Sequence, residues 1–140
     1  MSIGKRSRKQ VDAVRQDVFD RDNNVCVVHG SIWARLVPCS GGLTIQHRVT
    51  RGMGGSAKYD EPPYLLAMCA VHNALEPGSS EFREFCERQG YSVPRWVLNR
   101  FAITRVPVKY DYDWYLLGGT ERFRIPERTA QEMLDEIYGD

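Results

Sequence analysis

The sequence predicts an α+β fold, a zinc-stabilised core flanked by helices and followed by a smaller β-hairpin and helix unit. Three observations carry this. Val11, Val14, Val18 and Phe19 recur at helical spacing, whereas Leu43-Thr44-Ile45-Gln46-His47-Arg48 has the composition and alternation of a strand. Cys26-Val27-Val28-His29 is answered by Cys69-Ala70-Val71-His72, two pairs of soft ligands, each able to grip a metal from one tight turn. Near residue 100 the texture changes, and short strand-like runs broken by Gly118-Gly119 replace helical ones. A chain of 140 residues is long enough for one core and not for two large domains. The predicted organisation is a basic arm at 1–14, a zinc-binding domain at 15–99, and a C-terminal hairpin and helix at 100–140.

The elements follow in order. An amphipathic helix over residues 9–21 ends before Asp22-Asn23-Asn24 and leads into the Cys26 turn. Leu36-Val37-Pro38 and Gly41-Gly42 punctuate a loop before the strand at 43–48. Gly52, Gly54 and Gly55 forbid regular structure, and Pro62-Pro63 then opens a helix predicted to run from Tyr64 to Leu75, stopped by Pro77-Gly78. Ser79 or Ser80 caps another helix through Glu87, with Phe82, Phe85 and Cys86 inside and Gly90 just past its end. Strands are predicted at 105–110, 114–117 and 122–125. A last helix over Glu127 to Tyr138 aligns Ala130, Met133, Leu134 and Ile137 on one face.

Composition narrows the function classes. No apolar run approaches the ~20 residues that span a bilayer, and the charged N-terminus lacks the apolar stretch of a secretory signal. The expectation is a reducing cytoplasm without membrane partners, where Cys26, Cys39, Cys69 and Cys86 are thiols or metal ligands rather than disulfides. A net charge of +1 makes no global case for nucleic acid, but the charge is unevenly placed. Lys5, Arg6, Arg8, Lys9 and Arg15 face only Asp12 at the start of the chain, whereas the last twenty residues are acidic. The basic end is where phosphate contacts are expected, with a solvated tail as the alternative.

The paired Cys-x2-His spacing assigns Cys26, His29, Cys69 and His72 to one structural zinc, because a closed set of four ligands stabilises a fold and does no chemistry. Cys39 is the main competitor, since Pro38-Cys39-Ser40-Gly41 is also a tight turn. Between the pairs lies Gln46-His47-Arg48-Val49-Thr50-Arg51-Gly52-Met53-Gly54-Gly55-Ser56, a histidine beside arginines and glycines. Glycine lets backbone N–H groups approach an anion, so Arg48, Arg51 and Lys58 are expected phosphate contacts.

The order Arg21-Asp22-x3-Cys26-x2-His29-Gly30, then Ile45-Gln46-His47-Arg48-x2-Arg51-Gly52-Met53-Gly54-Gly55-Ser56, then Leu65-x2-Met68-Cys69-x2-His72-Asn73, resembles the HNH endonucleases, in particular small phage-encoded ones. The resemblance covers roughly residues 15–77. It implies a ββα-metal nuclease site, a β-hairpin and following helix, beside a structural zinc in which His29 and His72 replace cysteines. By position His47 matches the family's general base, and a divalent Mg²⁺ or Mn²⁺ would stabilise the leaving oxygen. The chain departs from the family at three places: Gln46 at the metal ligand before the base, Tyr64 at the asparagine that orients the base-bearing loop, and Asn73 at the last metal-binding histidine. Glu76, three residues after Asn73 on one helical face, is a source of the missing charge, with Asp60 and Glu61 as further candidates.

Three function classes follow. The first is a metal-dependent HNH-like DNA endonuclease or nicking enzyme with His47 as base and Asn73 with Gln46 or Glu76 at the metal. The second keeps the zinc-stapled fold and binds DNA through Arg48, Arg51 and the basic N-terminus without cutting it. The third is an adaptor for a phage or host protein, displaying Tyr110, Tyr112, Trp114, Tyr115 and Phe123.

Overall fold

A computed structural model of the chain describes residues 7–49 and 57–139. The first helix, α1 (Arg8–Arg21), is opened by a reciprocal cap in which the Ser7 hydroxyl accepts from the Gln10 N–H and the Gln10 side chain accepts from the Ser7 N–H. A short α2 (Ile32–Leu36), capped by Ser31, follows the Cys26 turn. Next come β1 (Leu43–His47), 3-10 turns at Ala57–Asp60 and Pro62–Tyr64, β2 (Leu65–Cys69), α3 (Ala70–Gly78) and α4 (Ser80–Arg88). The chain ends in an antiparallel meander of β3 (Val108–Tyr110), β4 (Asp113–Gly118) and β5 (Glu121–Ile125), then α5 (Glu127–Tyr138). The described residues therefore form a mixed α+β structure with two small antiparallel sheets. No helix among them is long and apolar enough to cross a membrane.

The helix expected from Tyr64 to Leu75 is the main structural correction. Its first half is β2, antiparallel to β1 with Leu43 opposite Cys69 and His47 opposite Leu65. All five residues of β2 are buried, and Leu66 and Met68 enter the main core. Helix propensity separates such residues by a few tenths of a kcal/mol each, whereas burying a Leu or Met side chain is worth about 2 kcal/mol. Burial in a paired strand wins, and the helix begins only at Ala70. The helix at 127–138 and the one capped by Ser79 form as expected, with Phe82, Phe85 and Cys86 buried.

The main core joins Val27, Val28, Leu66, Met68, Phe82, Phe85 and Tyr91 to Val108, Tyr110 and Leu117, so side chains from both sides of residue 100 share it. Gly90 marks their close approach: its φ is +81°, and a Cβ there would collide with the Pro107 carbonyl oxygen. Two buried arginines pin the layers through polar contacts. Arg21 forks onto the Asp22 carboxylate at 2.8 and 3.1 Å and donates to the carbonyls of Pro62 and Leu65. Asp22 in turn accepts from the Ala67 N–H and the Tyr110 hydroxyl.

Arg48 is the second peg. It is 1% exposed and donates from Nε to the Gly90 carbonyl, from Nη1 to Pro63 and from Nη2 to Val106, at 2.9–3.0 Å. Burial pulls its guanidinium down to about 10, which leaves it charged at neutral pH. The phosphate contact expected of Arg48 is overturned: every nitrogen of the fork is spent on a carbonyl from a different part of the chain.

Candidate metal centre and the opposite end of the hairpin

At the Leu43↔Cys69 end of the β1–β2 pair, three segments converge. Cys26 arrives on the turn after α1, Cys39 on the loop after α2, and Cys69 caps α3, whose first turn carries His72. The ligand atoms of Cys26, Cys39, Cys69 and His72 all lie within 4.8 Å of one another. The Sγ atoms of Cys26 and Cys39 stand 3.7 Å from His72 Nδ1, and that of Cys69 stands 3.1 Å away. With zinc–sulfur and zinc–nitrogen bonds of ~2.3 and ~2.1 Å, a tetrahedral ion separates its sulfur and nitrogen ligands by about 3.6 Å. Three thiols and one imidazole at these spacings fit a closed structural zinc site.

The imidazole is prepared for that role. Its Nε2 lies 2.7 Å from the Val37 carbonyl oxygen, which only accepts, so Nε2 carries the proton and Nδ1 presents its lone pair to the thiols. His72 is fully buried, with Phe82 stacked on it at 5.7 Å and Trp33 edge-on to Phe82 at 5.0 Å. Burial pushes the Cys26 thiol up to about 12, against the backbone N–H groups of Cys69 and Val28, which favour thiolate. Burial and the neighbouring Cys69 likewise raise Cys39. Crowded thiols resist ionisation together, and a cation among them supplies the charge that reverses this.

Cys39 stands where the Cys-x2-His spacing put His29. The His29 N–H closes the Cys26 turn on the Cys26 carbonyl at 2.9 Å, Val27 and Val28 take the interior positions, and the His29 side chain is exposed. Cys39 is brought in by backbone clamps: the N–H groups of Ala70 and Val71 donate to the carbonyls of Gly42 and Ser40. Gly41, at φ +85°, permits the approach, since a Cβ there would sit 2.8 Å from the Ala70 Cβ. The Pro38-Cys39-Ser40-Gly41 turn is the feature of the sequence that marks Cys39 as a ligand.

At the other end of the hairpin stands His47. Its side chain is 36% exposed, and Nδ1 lies 3.8 Å from Oδ1 of Asp60, which is delivered by the 3-10 turn over Ala57–Asp60. Gln46 is buried. Asn73 uses its amide to donate to the Thr44 hydroxyl at 2.8 Å and the Ile45 carbonyl at 3.0 Å, clipping α3 to β1. Glu76 lies 3.8 Å from Arg83. Tyr64 is half-buried, edge-on to Tyr59 at 5.4 Å, and burial, followed by the charges of Tyr59 and Glu61, raises its hydroxyl. Gln46 is buried and the Asn73 amide nitrogen is committed to β1, so neither offers the anionic oxygen that Mg²⁺ or Mn²⁺ favours.

Of the expected DNA contacts, Arg8 and Lys9 are exposed on the first turn of α1. Lys5, Arg6 and Arg51, and the Lys58 side chain, lie outside the described residues. Among the C-terminal aromatics, Tyr110 and Trp114 are buried while Tyr112 and Phe123 are exposed.

No protein-family model matches the chain, and neither the curated proteins nor the solved structures contain a match.

Proposed function

We propose that the protein is an HNH-like endonuclease acting on DNA, with His47 as general base. The observation that carries the reading is the strand pair and helix of β1, β2 and α3, with a Cys3His group that could hold a metal at one end and a partly exposed histidine beside a carboxylate at the other. In the reaction, His47 takes a proton from water as the water oxygen forms a bond to phosphorus. The bond from phosphorus to the leaving oxygen breaks, and that oxygen gains a proton from solvent. Zinc held by Cys26, Cys39, Cys69 and His72 would have its four positions filled by the protein and would stabilise the fold without taking part in this chemistry.

The test is cleavage of supercoiled plasmid and single-stranded DNA by zinc-loaded protein, with Mg²⁺, Mn²⁺ or a chelator too weak to strip the thiolate site. Nicking by the native protein and not by His47→Ala is expected; intact DNA in every arm sinks the reading.

A second reading is a DNA-binding module that does not cut. Buried Gln46 and clipped Asn73 support it, because they leave the family's metal positions without a charged donor. Its signature is binding without cleavage, with affinity falling steeply as salt rises. Salt-insensitive binding counts against it.

A further inference from the structure

We propose that Asp60 is a positioning residue for His47, a role that rests on the nuclease reading and adds a group that reading does not contain. The geometry assigns it. Asp60 Oδ1 faces Nδ1 of the imidazole at 3.8 Å, and the Asp60 side chain is 19% exposed against 36% for His47. The carboxylate is thus the more sheltered partner, fixed at the end of a 3-10 turn, and the imidazole is the one open to substrate.

Two consequences follow from a negative charge on the Nδ1 side. The field of the carboxylate biases the neutral ring toward the Nδ1–H tautomer, which leaves the lone pair on Nε2 to receive the proton from water. The imidazolium formed by that transfer is stabilised where it forms, as an orienting carboxylate does for other histidine bases. A separation of 3.8 Å is an ion-pair distance, so the contact acts most strongly once the ring is charged.

The other described titratable or charged groups on the adjoining 3-10 turns are Tyr59, Glu61 and Tyr64, with Arg95 over the Tyr59 ring at 5.5 Å. Tyr64, raised by burial, stays neutral while an imidazole titrates. Glu61 is the other described carboxylate at these turns, one position along the chain from Asp60. It is the control.

The experiment is a pH titration of the His47 ring by nitrogen-15 NMR on zinc-loaded full-length protein, assigned with His47→Ala, in native protein and in Asp60→Asn and Glu61→Gln. Asp60→Asn should lower the His47 pKa by about one unit and relax the Nδ1–H preference, whereas Glu61→Gln should leave the tautomer as it is. Where DNA is cut, the acid limb of the kcat profile moves down by the same amount and KM holds. An unchanged pKa and tautomer in Asp60→Asn, with zinc content and circular dichroism intact, overturns the proposal. A shifted pKa with no cleavage by any protein leaves the pairing standing and removes the nuclease reading instead.

Discussion

One histidine closes β1 and the other lies in the first turn of α3 just past the end of β2, so they mark opposite ends of a strand pair about 13 Å long at the usual strand rise, and their surroundings differ. His72 is fully buried, has one ring nitrogen committed to the Val37 carbonyl and turns the other to three thiols. His47 is partly open to solvent and faces a carboxylate. Both carry the same side chain on the same scaffold. Burial among thiols suits one of them to hold a metal, whereas partial exposure beside a carboxylate suits the other to the proposed proton transfer.

The largest effect should come from breaking the closed end. Structural zinc contributes about 10–16 kcal/mol in small zinc-dependent folds, comparable to or above the ~5–15 kcal/mol total stability of a domain. Cys39→Ser, Cys69→Ser and His72→Ala should each lose the metal and the cooperative melt. His29→Ala should keep both, because that side chain is exposed. Metal content per chain and thermal denaturation read this directly. A Cys39→Ser protein holding a full complement of zinc with an unchanged melt would move the fourth ligand back to His29.

The next effect lies behind the open end. Arg48 follows His47 in sequence, yet its side chain runs inward to three carbonyls. Arg48→Met fills the volume and strands those acceptors. The expected cost is about 3–5 kcal/mol, as for other broken buried charge networks, seen as a lower midpoint in urea with zinc still bound. At temperatures where the variant stays folded, the salt dependence of any DNA binding should match that of the native protein. A shallower salt slope at unchanged stability would return Arg48 to the phosphate surface.

Arg48 also shows where sequence reading runs out. Next to a glycine-rich run, its charge reads as surface chemistry, because nothing local reveals that Gly90, Pro63 and Val106 turn carbonyls toward one interior point. Helices with caps and periodic faces were legible: Ser79 and the 127–138 face specify α4 and α5 through neighbours a few residues away. Leu65 to Met68 was not, since a short continuous apolar run suits a buried strand as well as a helix and the partner strand decides. The metal site was legible in three of the four positions now grouped. Cys26, Cys69 and His72 sit at motif spacing, whereas Cys39 enters through backbone clamps between distant segments. Asp60 as the group beside His47 depended on how a turn folds back, which spacing does not encode.

The smallest effect tests the polar network that holds both ends to the C-terminal sheet. The Tyr110 hydroxyl donates to Asp22 Oδ1 at 2.8 Å, and burial, then the Asp22 charge, pushes its ionisation well above the usual tyrosine range. Tyr91 is raised in the same direction, also by burial first. The folded protein therefore keeps protons that the unfolded chain releases near pH ~10. Stability from these groups is fully present below that value and drains away as pH rises through it toward the folded ionisation. Thermal melts should thus show no pH dependence from these tyrosines between pH 7 and 9, and a growing loss of stability above about pH 10. Tyr110→Phe should cost about 1 kcal/mol at neutral pH for the lost hydrogen bond, yet flatten the alkaline fall. Asp22 would still hold Arg21 and the Ala67 N–H, so the hairpin keeps its anchor and both histidines keep their places. If Tyr110→Phe instead altered zinc content or the His47 titration, the two ends would be coupled through this network, and their separation into a structural end and a chemical end would no longer hold.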